Sequence, residues 1–298
     1  MTVRHLGGRE SLSPSVSAPC LAPVEIAASG SWPPLNLREV WEYRELLYFL
    51  ALRDIKIRYK QTALGAAWAL LQPLTMVLVF ATFFGRVAKI DSEGSPYPVF
   101  SLAALVPWTF FVAALGRAAG GLLSSSNLIT KVYFPRLVVP LSSVLGAVPD
   151  FLLSLLVLGG LMAWFRVGPG PAVILVLPLS ALVAATALGF GLWISALTVR
   201  YRDLHHLMTF LIQIWLYVTP VIYPAGFVTE RLERVGLPGW LYGLNPAAGL
   251  VAAYRAAVLG ATPIPWRMLA LSVVVVTVVL VSGVYFFRRT ERSFADVI

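Results

Sequence analysis

Six stretches of this chain are apolar for long enough to cross a lipid bilayer, and no other feature narrows its possible folds so far. They cover residues 64–85, 99–123, 137–164, 171–197, 207–223 and 268–287. A helix needs about 20 such residues to span a hydrocarbon core of about 30 Å. Composition agrees: 58% of the 298 residues are apolar and 12% charged, against roughly 45–50% and 25% in soluble domains. The expected fold is an all-α integral membrane protein with six transmembrane helices. Pro140, Pro149 and Pro178 predict kinks in the third and fourth spans. The valine-rich run 271–281 would suit a strand in water, but its length and the Arg288–Arg289 flank favour a membrane helix. The net charge of +9 fits basic loops beside anionic headgroups, so no nucleic-acid partner is expected.

Orientation follows the Lys/Arg bias of the loops. A cytoplasmic N-terminus puts Arg53, Lys56, Arg58, Lys60, Lys131, Arg136, Arg200, Arg202, Arg288, Arg289 and Arg292 inside, eleven in all. It leaves seven outside: Arg86, Lys89, Arg166, Arg231, Arg234, Arg255 and Arg267. Both termini are therefore expected in the cytoplasm. Residues 1–35 read as a disordered tail rich in Ser, Pro and Ala, with no apolar core of a secretory signal before Cys20.

Residues 36–62 predict an amphipathic interface helix ahead of the transmembrane domain, 63–298. Arg38, Glu42, Glu45, Arg53, Lys56 and Lys60 mark its polar face; Val40, Trp41, Leu47, Tyr48, Ala51 and Ile55 populate the other. Such a helix lies in the inner leaflet plane or packs within a small cytosolic cap. Between spans five and six, 227–235 and 245–260 predict two helices too short to cross, the second opening at Asn245-Pro246. They fit re-entrant or interfacial helices at the outer face, tolerated at membrane depth only against protein or a wet cavity.

Catalytic and energy-yielding signatures are absent from the sequence. No GxxxxGK[ST] stretch occurs, and His5, His205, His206 and Cys20 are too few and too scattered for a zinc site, so no metal is expected. Asp150 is the one acid inside a span. It reads either as a functional carboxylate or as a partner of Arg117 or of backbone freed by Pro149. Three functions remain: a transport subunit powered by a separate protein, a membrane glycosyltransferase or acyltransferase acting on a polyprenyl substrate, and an ion-coupled flippase. The enzyme would need an acid/base group among Asp54, Asp203 and His205; the flippase would need Asp150.

Three blocks carry a family likeness. They are Leu52-Arg-Asp-Ile-Lys-Ile-Arg-Tyr-Lys-Gln-Thr-Ala-Leu-Gly-Ala-Ala-Trp-Ala-Leu-Leu-Gln-Pro73; Asn127-Leu-Ile-Thr-Lys-Val-Tyr-Phe-Pro-Arg136; and Arg200-Tyr-Arg-Asp203 with Pro220-Val-Ile-Tyr-Pro224 and Leu244-Asn-Pro246. In this order they resemble the membrane subunits of ABC exporters for lipid-linked polysaccharides: the O-antigen (Wzm-type), teichoic-acid and capsular-polysaccharide permeases. The resemblance implies a homodimer in the bacterial inner membrane with two ATPase subunits beneath, ATP and magnesium being bound there and no cofactor here. It implies a polysaccharide cargo on undecaprenyl diphosphate and an ATPase-coupling helix at Asn127, Lys131, Tyr133 and Phe134. It also implies outer gate helices bearing Arg231, Arg234 and Tyr254.

Within that frame, Arg58, Lys60, Arg200 and Arg202 stand at the inner headgroup level as candidates for the diphosphate, since Arg grips phosphate bidentately. Ordinary positive-inside residues and salt bridges are the alternative. Phe80, Phe83, Phe84, Trp108, Phe110, Phe111, Trp215 and Tyr217 are candidates for an aromatic channel surface over which a glycan slides; facing lipid is their alternative.

Overall fold

The computed structural model describes residues 37–60, 67–125, 128, 131–201 and 203–291, all helix, turn and connection. The tail 1–35, with Cys20, and the site candidates Asn127 and Arg202 lie outside the described residues. Helices α1 (Leu37–Glu42) and α2 (Arg44–Lys60) precede α3 (Ala67–Phe80), which continues as a π-helix over Ala81–Val87. Then come α4 (Tyr97–Ser124), α5 (Val138–Leu145), α6 (Val148–Trp164), α7 (Val176–Arg200) and α8 (Leu204–Val218). Helices α9 (Gly226–Arg234), α10 (Pro246–Leu259) and α11 (Trp266–Thr290) follow among the described residues.

Five helical segments among the described residues are long and apolar enough to cross a membrane: Leu70–Val87, Tyr97–Ser124, Val138–Trp164, Val173–Arg200 and Trp266–Thr290. The valine-rich run is helical within the last. The fifth predicted span differs: α8 has 15 residues, about 22 Å at 1.5 Å per residue. The prolines also act differently from expectation. Pro140, Pro149 and Pro178 each fall in the first turn of α5, α6 or α7, where a missing N–H breaks no intrahelical bond. The third span is interrupted at Gly146–Ala147, where Arg117 donates to the Gly146 carbonyl.

Helix α4 is the central element. It packs on α3, α5, α6, α7, α8 and α10, and 78% of its most apolar window is buried, against 17% for α3. Its neighbours approach closely because small residues face each other. A Cβ on Gly191 would lie 2.5 Å from that of Ala118, and one on Gly283 would lie 2.7 Å from the Gly189 carbonyl oxygen of α7. Hydroxyls inside the bundle return to their own helix, as Thr186 does to the Leu182 carbonyl and Ser154 to that of Asp150.

The second short helix between spans five and six lies where Asn245-Pro246 and Gly260 bound it. Helix α10 begins at Pro246 and ends against Gly260, whose φ of +65° closes it in the left-handed region. Every residue of α10 is buried. Its C-terminal end touches Gly170, where the Gly170 N–H donates to Val258. Its N-terminal residues Ala247, Leu250 and Val251 instead share a cavity with Pro107, Trp108 and Phe111, midway along α4, and with Thr186, midway along α7. The helix therefore dips into the bundle without crossing it.

Between α8 and α9 the backbone leaves helical form while still buried, with Thr219, Val221 and Ile222 shielded from solvent. Its carbonyls are taken by side chains. Arg255 of α10, 3% exposed, donates Nη1 to Tyr223 (3.1 Å) and Nη2 to Pro220 (2.6 Å) and Val221 (3.0 Å). Tyr97 donates to Ile222 at 2.8 Å and Tyr242 to Val218 at 2.6 Å. The Arg255 guanidinium carbon also lies 3.8 Å from the Phe100 ring centroid, a cation–π contact. Arg255→Met would keep the bulk and withdraw donors from three carbonyls, two of them buried. The expected loss is about 3–5 kcal/mol, read as a lower thermal unfolding midpoint in detergent, with Arg255→Lys recovering part of it.

Candidate functional site

Two polar constructions stand at opposite ends of the bundle, called inner at the end that α2 flanks and outer at the other. The inner one centres on Asp150 in the first turn of α6. Its carboxylate receives Arg117 of α4 at 2.6 Å and Arg58 of α2 at 2.6 Å. Tyr59 donates to its other oxygen at 2.5 Å. Burial, aided by the Asp150 hydrogen bond and charge, raises the Tyr59 phenol to about 12, so it stays a donor across physiological pH. The pairing with Arg117 is one of the two readings that the sequence left open for Asp150. Tyr59 had no distinguishing signal. Beside this cluster a cavity of about 60 Å³ opens past Gln72, Thr109 and Ser154.

Arg58, predicted to meet substrate phosphate, is thus held by Asp150. Lys60 and Arg200 are exposed, and the Arg200 guanidinium lies 5.6 Å from the ring of Tyr201. The structure does not bring Arg200 into the Arg58 cluster.

A second ionic group ties the inner ends of three elements together. Arg288 of α11 reaches Glu39 of α1 and Glu291, both at 3.7 Å. Glu291 accepts the Arg136 N–H at 3.1 Å, and the Arg136 guanidinium donates to the Glu291 carbonyl. Burial raises the Glu291 carboxyl above the usual range while Arg288 and Arg136 oppose that rise. Arg136 closes the segment predicted to couple to an ATPase. There Leu128 is helical, 131–135 form a turn and an extended stretch, and Lys131 is exposed. Tyr133 is 84% exposed, whereas Phe134 is buried among Leu50, Leu122 and Phe287.

The interface helix is broken at Tyr43 into α1 and α2. Val40, Leu46, Leu47 and Leu50 pack on the inner core cluster, and Ala51 is buried as its apolar-face assignment requires. Trp41 and Tyr48, assigned to the same face, point outward together with Phe49 and Ile57. The helix therefore presents one apolar side to the bundle and a second away from it.

The predicted channel aromatics divide. Trp108, Phe110, Phe111 and Phe80 are buried within the subunit. Trp108, Phe111 and Phe190 pack edge-on around Trp215, at centroid distances of 6.4, 5.1 and 5.1 Å. Phe110 lies on Phe151 at 4.6 Å, and Phe84 is half-buried against Phe80. Phe83 and Tyr217 present exposed rings.

The outer construction is built on Asn245. Its place before Pro246 is that of a cap residue, yet its side chain makes no capping bond to α10. It accepts from Trp215 Nε1 at 2.8 Å and donates to the Val218 carbonyl and Thr219 hydroxyl, both at 3.3 Å. Of the predicted gate residues, Arg231 lies over Phe227 at 3.5 Å, Arg234 is exposed, and Tyr254 is fully buried. Arg255 and Tyr97, which hold the non-helical stretch, were missed. The available signal was one arginine in the otherwise apolar run 246–260.

The ABC-2 type transporter family profile matches residues 45–259, more than half the chain. The chain is 34% identical to the O-antigen export system permease protein RfbA of Myxococcus xanthus, over 74% of this chain and 82% of that protein. It is 25% identical to the RfbA permease of Klebsiella pneumoniae, over 85% and 95%. It is 23% identical to the polysialic acid transport protein KpsM of Escherichia coli, over 70% and 80%.

Asn245→Asp replaces the amide donor by a carboxylate facing the Val218 carbonyl. The expected cost is about 1–3 kcal/mol, detected as a lower unfolding midpoint, while Trp215 keeps its acceptor.

Proposed function

This chain belongs to the ABC-2 type transporter family, and from that premise we propose that it is the permease subunit of an exporter for lipid-linked polysaccharide. The cargo would be an O-antigen-like glycan on undecaprenyl diphosphate, moved from the cytoplasmic to the periplasmic side of the bacterial inner membrane. The observation that carries this reading is the similarity, over most of both chains, to permeases named for O-antigen and polysialic acid transport. The pair of arginines at the inner end of the bundle supports a diphosphate-bearing substrate, because guanidiniums recognise phosphate oxygens bidentately. The chain contains no Walker motif. ATP and magnesium would therefore act on separate ATPase subunits, two for each pair of permeases.

Six crossings with both termini inside fit the connectivity. Helix α8 is short, but the stretch that follows it climbs along α10 to Ile222, where Tyr97 at the head of α4 meets it. Helix and stretch together would span the membrane, the irregular part being tolerated because protein side chains satisfy its backbone. A homodimer accounts for the apolar flanks left open on α3 and α8, at Leu71, Leu78 and Phe83 and at Phe210, Ile214 and Tyr217. Phe83 and Tyr217 would then border the passage between copies, and α9 and α10 would gate its outer end. Trp41, Tyr48 and Phe49 would rest α1 and α2 against inner-leaflet lipid. Tyr133 would dock into the ATPase.

A strain lacking this protein should accumulate finished glycan inside the cell; loss of glycan synthesis instead would favour a membrane transferase. The purified chain should hydrolyse no ATP alone and should co-purify with an ATPase. Tyr133→Ala should leave the permease inserted and ATP turnover measurable while export of glycan to the surface collapses. Unchanged export with unchanged coupling would remove Tyr133 from the docking surface.

A further inference from the structure

The inner cluster converges three separate elements on one oxygen. Arg58 belongs to the interface helix α2, Arg117 to α4 and Asp150 to α6, and Asp150 Oδ2 lies 2.6 Å from both Arg58 Nη1 and Arg117 Nη2. Tyr59 fixes the other carboxylate oxygen. Arg117 is anchored independently, since its Nη1 donates to the Gly146 carbonyl at the break between α5 and α6. The group is not sealed: the side chains keep 43% (Arg58), 22% (Arg117) and 16% (Asp150) of their exposure. A cavity with mostly apolar walls, into which Arg58, Asp150, Gln72 and Thr109 also open, adjoins them. At about 60 Å³ it holds a few waters, each needing some 10–15 Å³.

Two guanidinium forks aimed at one point make a receptor for an oxyanion. Carboxylate and phosphate satisfy such forks in the same bidentate manner, and a phosphate group brings more charge and a third oxygen. A carboxylate held there by its own chain is a resident competitor, and it also spares the arginines the cost of standing unpaired near a low-dielectric region. We propose that Arg58 and Arg117 form a phosphate-headgroup site that Asp150 fills until the diphosphate of a polyprenyl-linked substrate displaces it. This rests on the lipid-linked reading above and deepens it. Displacement transfers Arg58 from α6 to the substrate and leaves Tyr59 as the interface helix's one bond to Asp150, which loosens that helix from α6. Arrival of a headgroup is thereby registered by the element nearest the ATPase side, while Arg117 keeps its hold on Gly146.

The test uses the chain in nanodiscs with farnesyl diphosphate as probe and inorganic pyrophosphate as the soluble comparison. Carbodiimide labelling of Asp150, read by mass spectrometry, needs no substitution. A carboxylate released from both arginines is open to the reagent, so farnesyl diphosphate should raise labelling several-fold. Pyrophosphate should match it only at much higher concentration; equal potency would overturn the assignment to a lipid headgroup. Asp150→Asn should bind farnesyl diphosphate roughly tenfold more tightly and Arg117→Gln roughly tenfold more weakly, each about 1.4 kcal/mol. Unchanged labelling with unchanged affinity in both variants would overturn the exchange and leave the wild-type binding site intact elsewhere. If the wild-type chain binds no farnesyl diphosphate at all, the lipid-linked reading itself falls.

Discussion

Inside an apolar slab every backbone carbonyl needs a donor from the protein, and in this molecule one guanidinium supplies three of them. Arg255 lets the chain abandon helical form after Val218 without stranding the carbonyls of Pro220, Val221 and Tyr223. The arrangement is reciprocal, because a buried arginine would itself be costly without acceptors. Phe100 covers its face, and Tyr97, Tyr242 and Asn245 complete the set around the same stretch. The dip of α10 into the bundle, the early end of α8 and the outer construction all depend on this exchange of hydrogen bonds.

The inner end follows the same logic with ion pairs in place of carbonyls. Asp150 gathers α2, α4 and α6, and Arg288 gathers α1 and the end of α11. Arg136 joins that second group next to the exposed Tyr133. Charged contacts thus link the segment that carries Tyr133 to α1 and α11. Between the two ends, α4 is packed on nearly all sides, which makes it a fixed post around which the rest is arranged.

Much of this was legible in the residues. Hydropathy located the long helices, and Asn245-Pro246 with Gly260 bounded α10, because these signals are local in sequence. The early end of α8 was not found, since a hydropathy window counts Thr219–Tyr223 as apolar whether or not it is helical. Pro220 and Pro224, four residues apart, were the sign that helix cannot persist there. Arg255 was grouped with loop charges, although a lone cation in an apolar helix calls for a buried partner. The division among the aromatics was out of reach, because Phe111 and Tyr217 differ in their neighbours and not in their kind. The glycine pairs Gly120–Gly121 and Gly159–Gly160, alike in sequence, make the same point. A Cβ on Gly121 would meet Ser143 Oγ at 2.8 Å, whereas Gly159 and Gly160 face open space.

The burial of α10 on all sides bears on how the protein is made. Its walls include α4 and α7, synthesised before it, and α11, synthesised after it. It is too short to be retained by lipid, and its arginine has no acceptors until the stretch after α8 is folded against it. The outer layer must therefore close last, once the C-terminal helix has been released from the ribosome and inserted. Without α11 one side of this helix would be bare and its burial incomplete.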